Sequence, residues 1–325
     1  MEKKINKEFT VTSNLVKLYK HFDELQSFQD GKSKPIMVHL MLTNQCNLNC
    51  STCCFASSNN DGKYLDVDYV KDIMSQFKTL GTKAVELTGG GDPTCYKHLD
   101  EIVNFLFDNG FSIGMNTNGI LNNKYDFWDK FSWIRLSMNS LDKFPEEKVH
   151  HIQHIRSGKS PPDVTGCYVW NELGPKNINM VIEYANRNKI ITRVVPNCIT
   201  TKDDIDKQME EIHGFVDNYV GNEFVFVSDF NIDTGQRKNN NCYVHHIKPC
   251  VFTDGYVYSC PSSELSVENG ITLKPEFRIC KGDEVSDYYQ NHFEVKERNC
   301  YYCKYKQQNE FLENLLIPTK HNEFA

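Results

Sequence analysis

The sequence of 325 residues predicts an α/β fold: a parallel sheet with helices packed on its outside. Three observations carry this. Short apolar runs alternate with segments of helical spacing, turn and cap residues punctuate the joins, and the chemistry-bearing side chains fall just after the strands. Strands are expected at 37–42, 84–88, 111–116, 133–138, 164–170 and 191–196, with a further strand at 223–230. Helical spacing fills 67–80, 99–109, 177–189 and 203–220, with a weaker stretch at 146–156. Asp66 and Asp68 suit a helix start, and Gly81 and Gly110 suit C-terminal caps. Such β-then-α units build either an open doubly wound sheet or a barrel, and in both the loops at the carboxyl ends of the strands form the working face.

Beyond residue 235 the alternation stops. The division expected is an N-terminal segment at 1–35, the α/β unit at 36–235 and a cysteine-rich extension at 236–325, entered through a polar linker at 234–241. A net charge of −7 supplies no global basic field, so duplex nucleic acid is not a favoured partner. The N-terminus has no secretory apolar stretch and no run is long enough to cross a bilayer, which predicts a cytoplasmic protein with no membrane partner. In that compartment thirteen cysteines read as metal ligands or reduced thiols.

Cys46, Cys50 and Cys53 are spaced C-x3-C-x2-C in the loop after the first strand. Three thiolates hold three irons of a [4Fe–4S] cluster and leave the fourth open for a ligand that reacts. Cys54 offers alternative ligation, but Cys53 keeps the spacing. A structural zinc knuckle is the competing reading of the same residues. The segment Thr43-Asn44-Gln45-Cys46-Asn47-Leu48-Asn49-Cys50-Ser51-Thr52-Cys53 resembles the cysteine motif of the radical S-adenosylmethionine (radical SAM) superfamily. That resemblance covers roughly residues 36 to 305, and it implies a partial (β/α)6 barrel with S-adenosylmethionine on the open iron.

The resemblance also assigns roles along the strand ends. Gly89, Gly90, Gly91 and Asp92 match the glycine-rich motif that meets the cofactor's ammonium, with Asp92 where a glutamate is commoner. Asn116 and Asn118, with Thr117 between them, and Arg135 and Ser137, followed by Asn139, match positions that contact its ribose and carboxylate. Pro196 lies in a segment similar to one that contacts adenine, and Phe55 stands in for the aromatic residue that Thr52 replaces. Cys198 and Asp229 are candidate hydrogen or proton donors, and Cys95 a candidate to face the cavity.

In the extension, Asp254-Gly255 between two β-prone arms reads as a hairpin with Cys250 on one side and Cys260 on the other. The CxxC of Cys300 and Cys303 completes four ligands, with Cys280 as a substitute. This resembles the small auxiliary-cluster domain called twitch, a reduced relative of the SPASM domain, and implies a second [4Fe–4S] cluster. A four-cysteine zinc site has the same ligand chemistry. Tyr256, Tyr258, Tyr301 and Tyr302 are expected around that centre, and His245-His246 beside Cys250 as an exposed loop pair, with a ligand role as the less common alternative.

The whole reading is a radical SAM enzyme that abstracts hydrogen from a small-molecule or nucleoside-type substrate, including a modified base. Its electrons come from a reductase such as flavodoxin or ferredoxin. The short stretch before the barrel weighs against a ribosomal peptide, which stays as the alternative substrate. A non-catalytic module with two zinc sites is the alternative from another class, although it leaves the glycine motif and the polar strand ends unexplained.

Overall fold

The computed structural model describes residues 14–56, 60–197, 199–228, 241–261, 275–298, 300, 303 and 305–320. The candidates Cys198 and Asp229, Tyr301 and Tyr302, and most of the 234–241 linker lie outside them.

Two short helices, α1 (Leu15–Tyr19) and α2 (Phe22–Gln29), lead into β1 (Met37–Leu40). Regular alternation follows: α3 (Val67–Thr79), β2 (Ala84–Leu87), α4 (Leu99–Asp108), β3 (Ser112–Thr117) and β4 (Phe131–Ser137). The short α5 (Ile152–Ile155) precedes β5 (Asp163–Val169), α6 (Gly174–Asn188), β6 (Ile191–Val195), α7 (Lys202–Val216) and β7 (Val225–Val227). Local chemistry sets the joins. Asp66 caps α3 by accepting the Asp68 and Tyr69 amides, and Gly81 and Gly110 end α3 and α4 at φ of +93° and +71°.

Strands β1 to β7 pair in sequence order and in parallel. The extension adds β8 (Asn241–Cys242), β9 (Cys250–Val251), β10 (Tyr256–Tyr258), β11 (Arg278–Lys281), α8 (Val285–Asn291), β12 (Lys296–Glu297) and α9 (Lys306–Leu315). Strand β9 lies parallel to β1, with β10 and β11 antiparallel beyond it, so one sheet of ten strands runs β11-β10-β9-β1-β2-β3-β4-β5-β6-β7. The edge of β1 that would close a barrel is taken by β9, and the barrel is therefore partial. Tyr69 of α3 fastens the hairpin, donating to the Gly255 carbonyl at 2.8 Å and accepting the Gly282 amide at 3.1 Å.

Alternation divides each strand between two environments. Val38, Leu40, Val85, Leu87, Ile113, Met115, Ile134 and Leu136 are buried against α3 and α4, where Ile73, Phe77, Ile102 and Leu106 meet them in one cluster. Each such side chain is worth about 1.5–3 kcal/mol on full burial. The alternate residues, His39, Glu86, Asn116, Arg135, Ser137, Cys167 and Arg193, share the concave face.

Two expectations are corrected. The 146–156 stretch is not one helix, because His150 and His151 take positive φ values of 63° and 48° and leave only α5. The His150 ring explains the break: it is buried against Ser140 Oγ at 2.8 Å, the Ser137 carbonyl at 3.1 Å and the Tyr184 hydroxyl at 3.0 Å. Nor is His245-His246 an exposed pair. Both are fully buried, His246 paired with Ser33 Oγ at 2.5 Å and the Glu294 carbonyl at 3.0 Å, and stacked on Phe293.

Candidate functional site

The loop after β1 carries Cys46, Cys50 and Cys53, and the ends of β2 and β3 hold it in place. Gly91 N donates to the Thr43 carbonyl at 2.7 Å and Asp92 N to the Gln45 carbonyl at 2.9 Å, so the glycine motif lies backbone to backbone against the cysteine loop. Only glycine permits this approach: a Cβ on Gly90 would stand 2.1 Å from Asn44 Oδ1, and one on Gly91 1.9 Å from the Gln45 carbonyl. At Gly89 the neighbour is the Phe55 ring, which a Cβ would meet at 2.9 Å. Phe55 in turn faces Phe252 of the hairpin, with centroids 6.5 Å apart.

Asp92 is 4% exposed and its carboxylate is surrounded by donors. It accepts the Thr94 amide and hydroxyl at 2.9 and 2.5 Å, the Thr117 hydroxyl at 3.0 Å and the Asn118 amide at 2.6 Å. Burial raises its pKa, and these bonds oppose the rise. Asn118, so held, donates from its side chain to Asn47 Oδ1 at 2.6 Å and to Cys46 Sγ at 3.8 Å. Leu48 N also points at Cys46 Sγ, at 3.4 Å. From beyond β4 the Lys143 ammonium donates to the Asn49 carbonyl, beside Cys50. Asn139 is spent differently, exchanging hydrogen bonds with the backbone of Val169 at 2.8 Å and reaching Asp142.

Cys46 lies within the field of Cys50 and Cys53. Burial pushes Cys46 up to about 11, and Asp92, Cys50 and Cys53 add to it. Cys95 is also near, pushed up to about 12 by burial with Asp92 and Cys46 contributing. Among the described residues no three His, Cys, Asp or Glu side chains close on a point as a single ion requires. A cubane asks for a wider set, since each thiolate binds a different iron. Three half-buried thiols on one loop, with an amide N–H and the Asn118 side chain aimed at the Cys46 sulfur, fit such a cluster.

The second cysteine site is built from β8, the end of β10, and the segment between β12 and α9. Cys242 lies opposite Lys296 in the β8–β12 pair, just before Cys300 in the chain. Asn309 of α9 joins the two sides, accepting the Tyr243 amide at 2.7 Å and donating to Cys303 Sγ at 3.6 Å. Burial pushes the Cys242 thiol up to about 12, with Val244 N–H opposing and Cys300 and Cys303 adding. Arg298 stands among Cys242, Cys300 and Cys260; burial lowers its pKa and their charges oppose that. Its Nε and Nη2 are buried without a hydrogen bond among the described residues.

Cys250 lies in β9 opposite His39 and Tyr258, fully buried in an apolar group with Met41, Phe252, Tyr258 and Phe277, against which Cys300 also packs. Cys280 is a core residue of β11, paired with Val257. The sequence reading passed over Cys242, whose only signal was its place ahead of the hairpin. Its proximity to Cys300 and Cys303 arises from pairing across more than fifty residues of chain.

Between the two sites lies the concave face. Asn116 donates to Glu86 Oε1 at 2.7 Å and to Thr88 Oγ1 at 3.0 Å, and His39 Nδ1 is 3.6 Å from Glu86 Oε2. Burial raises the Glu86 carboxyl, and His39, Arg135, the Asn116 amide and Lys248 together carry it below its ordinary range. His39 is held down to about 4, mainly by burial, and is neutral near pH 7. Burial lowers Arg135, and the Arg193 charge lowers it further. Lys248 is 5% exposed and rests over the Tyr305 ring at 4.0 Å. Pro196 follows β6, whose Val194 and Val195 are buried.

The sequence profile of the Radical SAM superfamily matches residues 40–213, which span β1 to α7 and both faces of the cysteine loop. The chain belongs to the radical SAM superfamily. A [4Fe–4S] cluster and S-adenosylmethionine are the cofactors of that family. A probable GTP 3',8-cyclase of Archaeoglobus fulgidus is 31% identical over 149 residues, covering 45% of this chain and 48% of that protein. An S-adenosylmethionine-dependent nucleotide dehydratase of Selenomonas ruminantium is 31% identical over 110 residues, covering 32% of this chain and 39% of that protein. The matches thus span less than half the length of these relatives. SuiB of Streptococcus suis, solved with its precursor peptide SuiA, shares the fold at a TM-score of 0.58 and 16% identity, covering 87% of this chain and 71% of that one. Among the described residues no helix is long and apolar enough to cross a membrane.

Proposed function

We propose that this protein is an enzyme that cleaves S-adenosylmethionine reductively and takes a hydrogen atom from a small-molecule or nucleotide-type substrate. The observation that carries this reading is the convergence on one loop: Asp92 holds the Asn118 amide, and Asn118 reaches the Cys46 sulfur. Cys46, Cys50 and Cys53 are the ligands of the first cluster. When bound, that cluster would supply the one electron that reductive cleavage of the cofactor's sulfonium requires, the chemistry that makes hydrogen abstraction available. The chain's own residues do the positioning. Gly89, Gly90 and Gly91 allow backbone approach, Phe55 closes over Gly89, and Asn116, Asn118, Arg135, Ser137 and Pro196 line the cofactor's seat, with Asp92 bracing it.

For the second cluster the ligands are Cys260, Cys300 and Cys303, with Cys242 as the fourth in place of Cys250. The support is the Asn309 bridge from Cys303 to the residue beside Cys242, and the proximity of Cys300 and Cys303 to the Cys242 thiol. A nucleotide-type substrate is supported by two relatives named for GTP and for nucleotides. A flavodoxin or ferredoxin in a reducing cytoplasm is the electron source that suits this chemistry.

The test is anaerobic reconstitution followed by reduction with the cofactor present. About eight irons are expected, two cubanes of four. 5′-Deoxyadenosine should form, and its absence at full iron loading overturns the reading. Incubation with cell extract then identifies the changed molecule, and a modified peptide in place of a small molecule would reassign the substrate.

A further inference from the structure

We propose that His39, its ring oriented by Glu86, accepts a hydrogen bond from an O–H or N–H of the substrate, and that this donor belongs to the nucleoside part of a nucleotide. This rests on the nucleotide-type reading above and names the contact that holds the molecule. His39 lies in β1 between Val38 and Leu40, which are buried in the core against the helices, so its ring projects onto the concave face. The residue is 6% exposed, yet neither ring nitrogen has a hydrogen bond among the described residues. Most buried polar atoms of folded proteins have a partner, because leaving one unpaired forfeits its hydration for nothing in return. Two unpaired ring nitrogens at this depth point to a bound molecule.

Glu86 decides which kind of group fits. Its Oε1 accepts from the Asn116 amide at 2.7 Å, and its Oε2 stands 3.6 Å from His39 Nδ1. Burial raises the carboxyl, but His39, Arg135, the Asn116 amide and Lys248 carry it below its ordinary range, so it is an anion near pH 7. A carboxylate beside Nδ1 favours the tautomer with the proton on that nitrogen. Nε2 is then a buried lone pair. Burial holds the ring down to about 4, with Glu86 opposing and Lys248 and Arg135 adding, so it acts as a neutral acceptor. Such a nitrogen selects an O–H or N–H, while the Glu86 charge turns an anionic group away. Nucleosides carry both donors, hydroxyls on the ribose and N–H groups on the base. Position separates this contact from the cofactor's seat: Asn116 of that seat lies on the far side of Glu86, and β9 of the extension flanks His39 on the other.

The experiment uses the full chain with both clusters, unreduced and saturated with S-adenosylmethionine. It is titrated calorimetrically with GTP in one arm and 2′,3′-dideoxy-GTP in the other. GTP is expected to bind; a weaker second arm assigns the donor to a ribose hydroxyl, and equal arms assign it to a guanine N–H. His39→Phe keeps a ring and removes the acceptor, and it should weaken GTP binding about tenfold or more. His39→Gln, whose amide oxygen can accept, should recover part of the loss. Should His39→Phe fail to fold, Glu86→Gln carries the same expectation, since it keeps an oxygen for Asn116 and turns an N–H toward Nδ1, which reverses the tautomer. Failure of GTP to bind the wild type, undiminished binding in the variants, or binding seen only without S-adenosylmethionine overturns the proposal, the last because the cofactor's own adenosine would then hold His39. 5′-Deoxyadenosine formation by the reduced wild type is followed in parallel, so that failure of radical chemistry is read separately from failure of nucleotide binding.

Discussion

Asp92 accepts the Asn118 backbone N–H at 2.6 Å, and this bond ties the glycine loop after β2 to the end of β3. The carboxylate has further donors in Thr94 and Thr117, so its role is to set the spacing of two loops around Cys46. Hydrogen bonds to a charged group are worth about 1.5–3 kcal/mol each. Asp92→Asn keeps the shape but turns an N–H toward another N–H or loses charge at every contact. We expect a stability loss of about 2 kcal/mol or more in cofactor-free protein, measured by denaturant unfolding. Weaker cofactor binding at unchanged stability would show that Asp92 meets the cofactor's ammonium directly.

Gly91→Ala tests the backbone contact. Its Cβ would stand 1.9 Å from the Gln45 carbonyl, and both partners are main chain, so the cysteine loop must move. Overpacking of this kind costs roughly 1–3 kcal/mol. The specific expectation is loss of the first cluster with the second retained, read as iron falling from about eight to about four. Full iron content would mean that the loop yields without disturbing its ligands.

Cys242 and Cys250 make opposite predictions. Cys242→Ala should empty the second site of iron while 5′-deoxyadenosine still forms. Cys250→Ala deletes only a buried sulfur from an apolar group and should keep about eight irons, at a modest stability cost of roughly 1 kcal/mol. The reverse pattern of iron loss would restore Cys250 as the fourth ligand.

His150 should make stability fall with acid. Burial holds its folded pKa down to about 4, against an ordinary 6.5. Above pH 6.5 both states carry the neutral ring and pH has no effect. Between 6.5 and 4 the unfolded chain takes up a proton that the folded chain refuses, so stability drops as pH is lowered, by at most about 3 kcal/mol from this group. His150→Asn tolerates the positive φ and cannot titrate. Its unfolding free energy should change less than the wild type's across that window; parallel pH curves would remove His150 as a cause.

Local pattern reached a long way in this chain. The alternation placed β1 to β6 and most of their helices, because apolar period and cap residues such as Asp66 and Gly110 are local signals. The C-x3-C-x2-C spacing and the glycine run pointed to two loops that do meet, for the same reason: they lie at successive strand ends, where chain order and spatial order agree. The Asp254-Gly255 hairpin was equally local.

Tertiary structure alone decided the rest. Nothing in the spacing says that β9 takes the open edge of β1, since a strand of two residues has almost no pattern of its own. That pairing buries Cys250 beside Met41, while Asn309 of α9 links Cys303 to Tyr243, the residue after Cys242. The gathering of His39, Glu86, Arg135, Arg193 and Lys248 is of the same kind. Each reads locally as a polar residue of a half-buried strand or loop, and only the curl of the sheet turns those faces toward one another and gives their charges a common space.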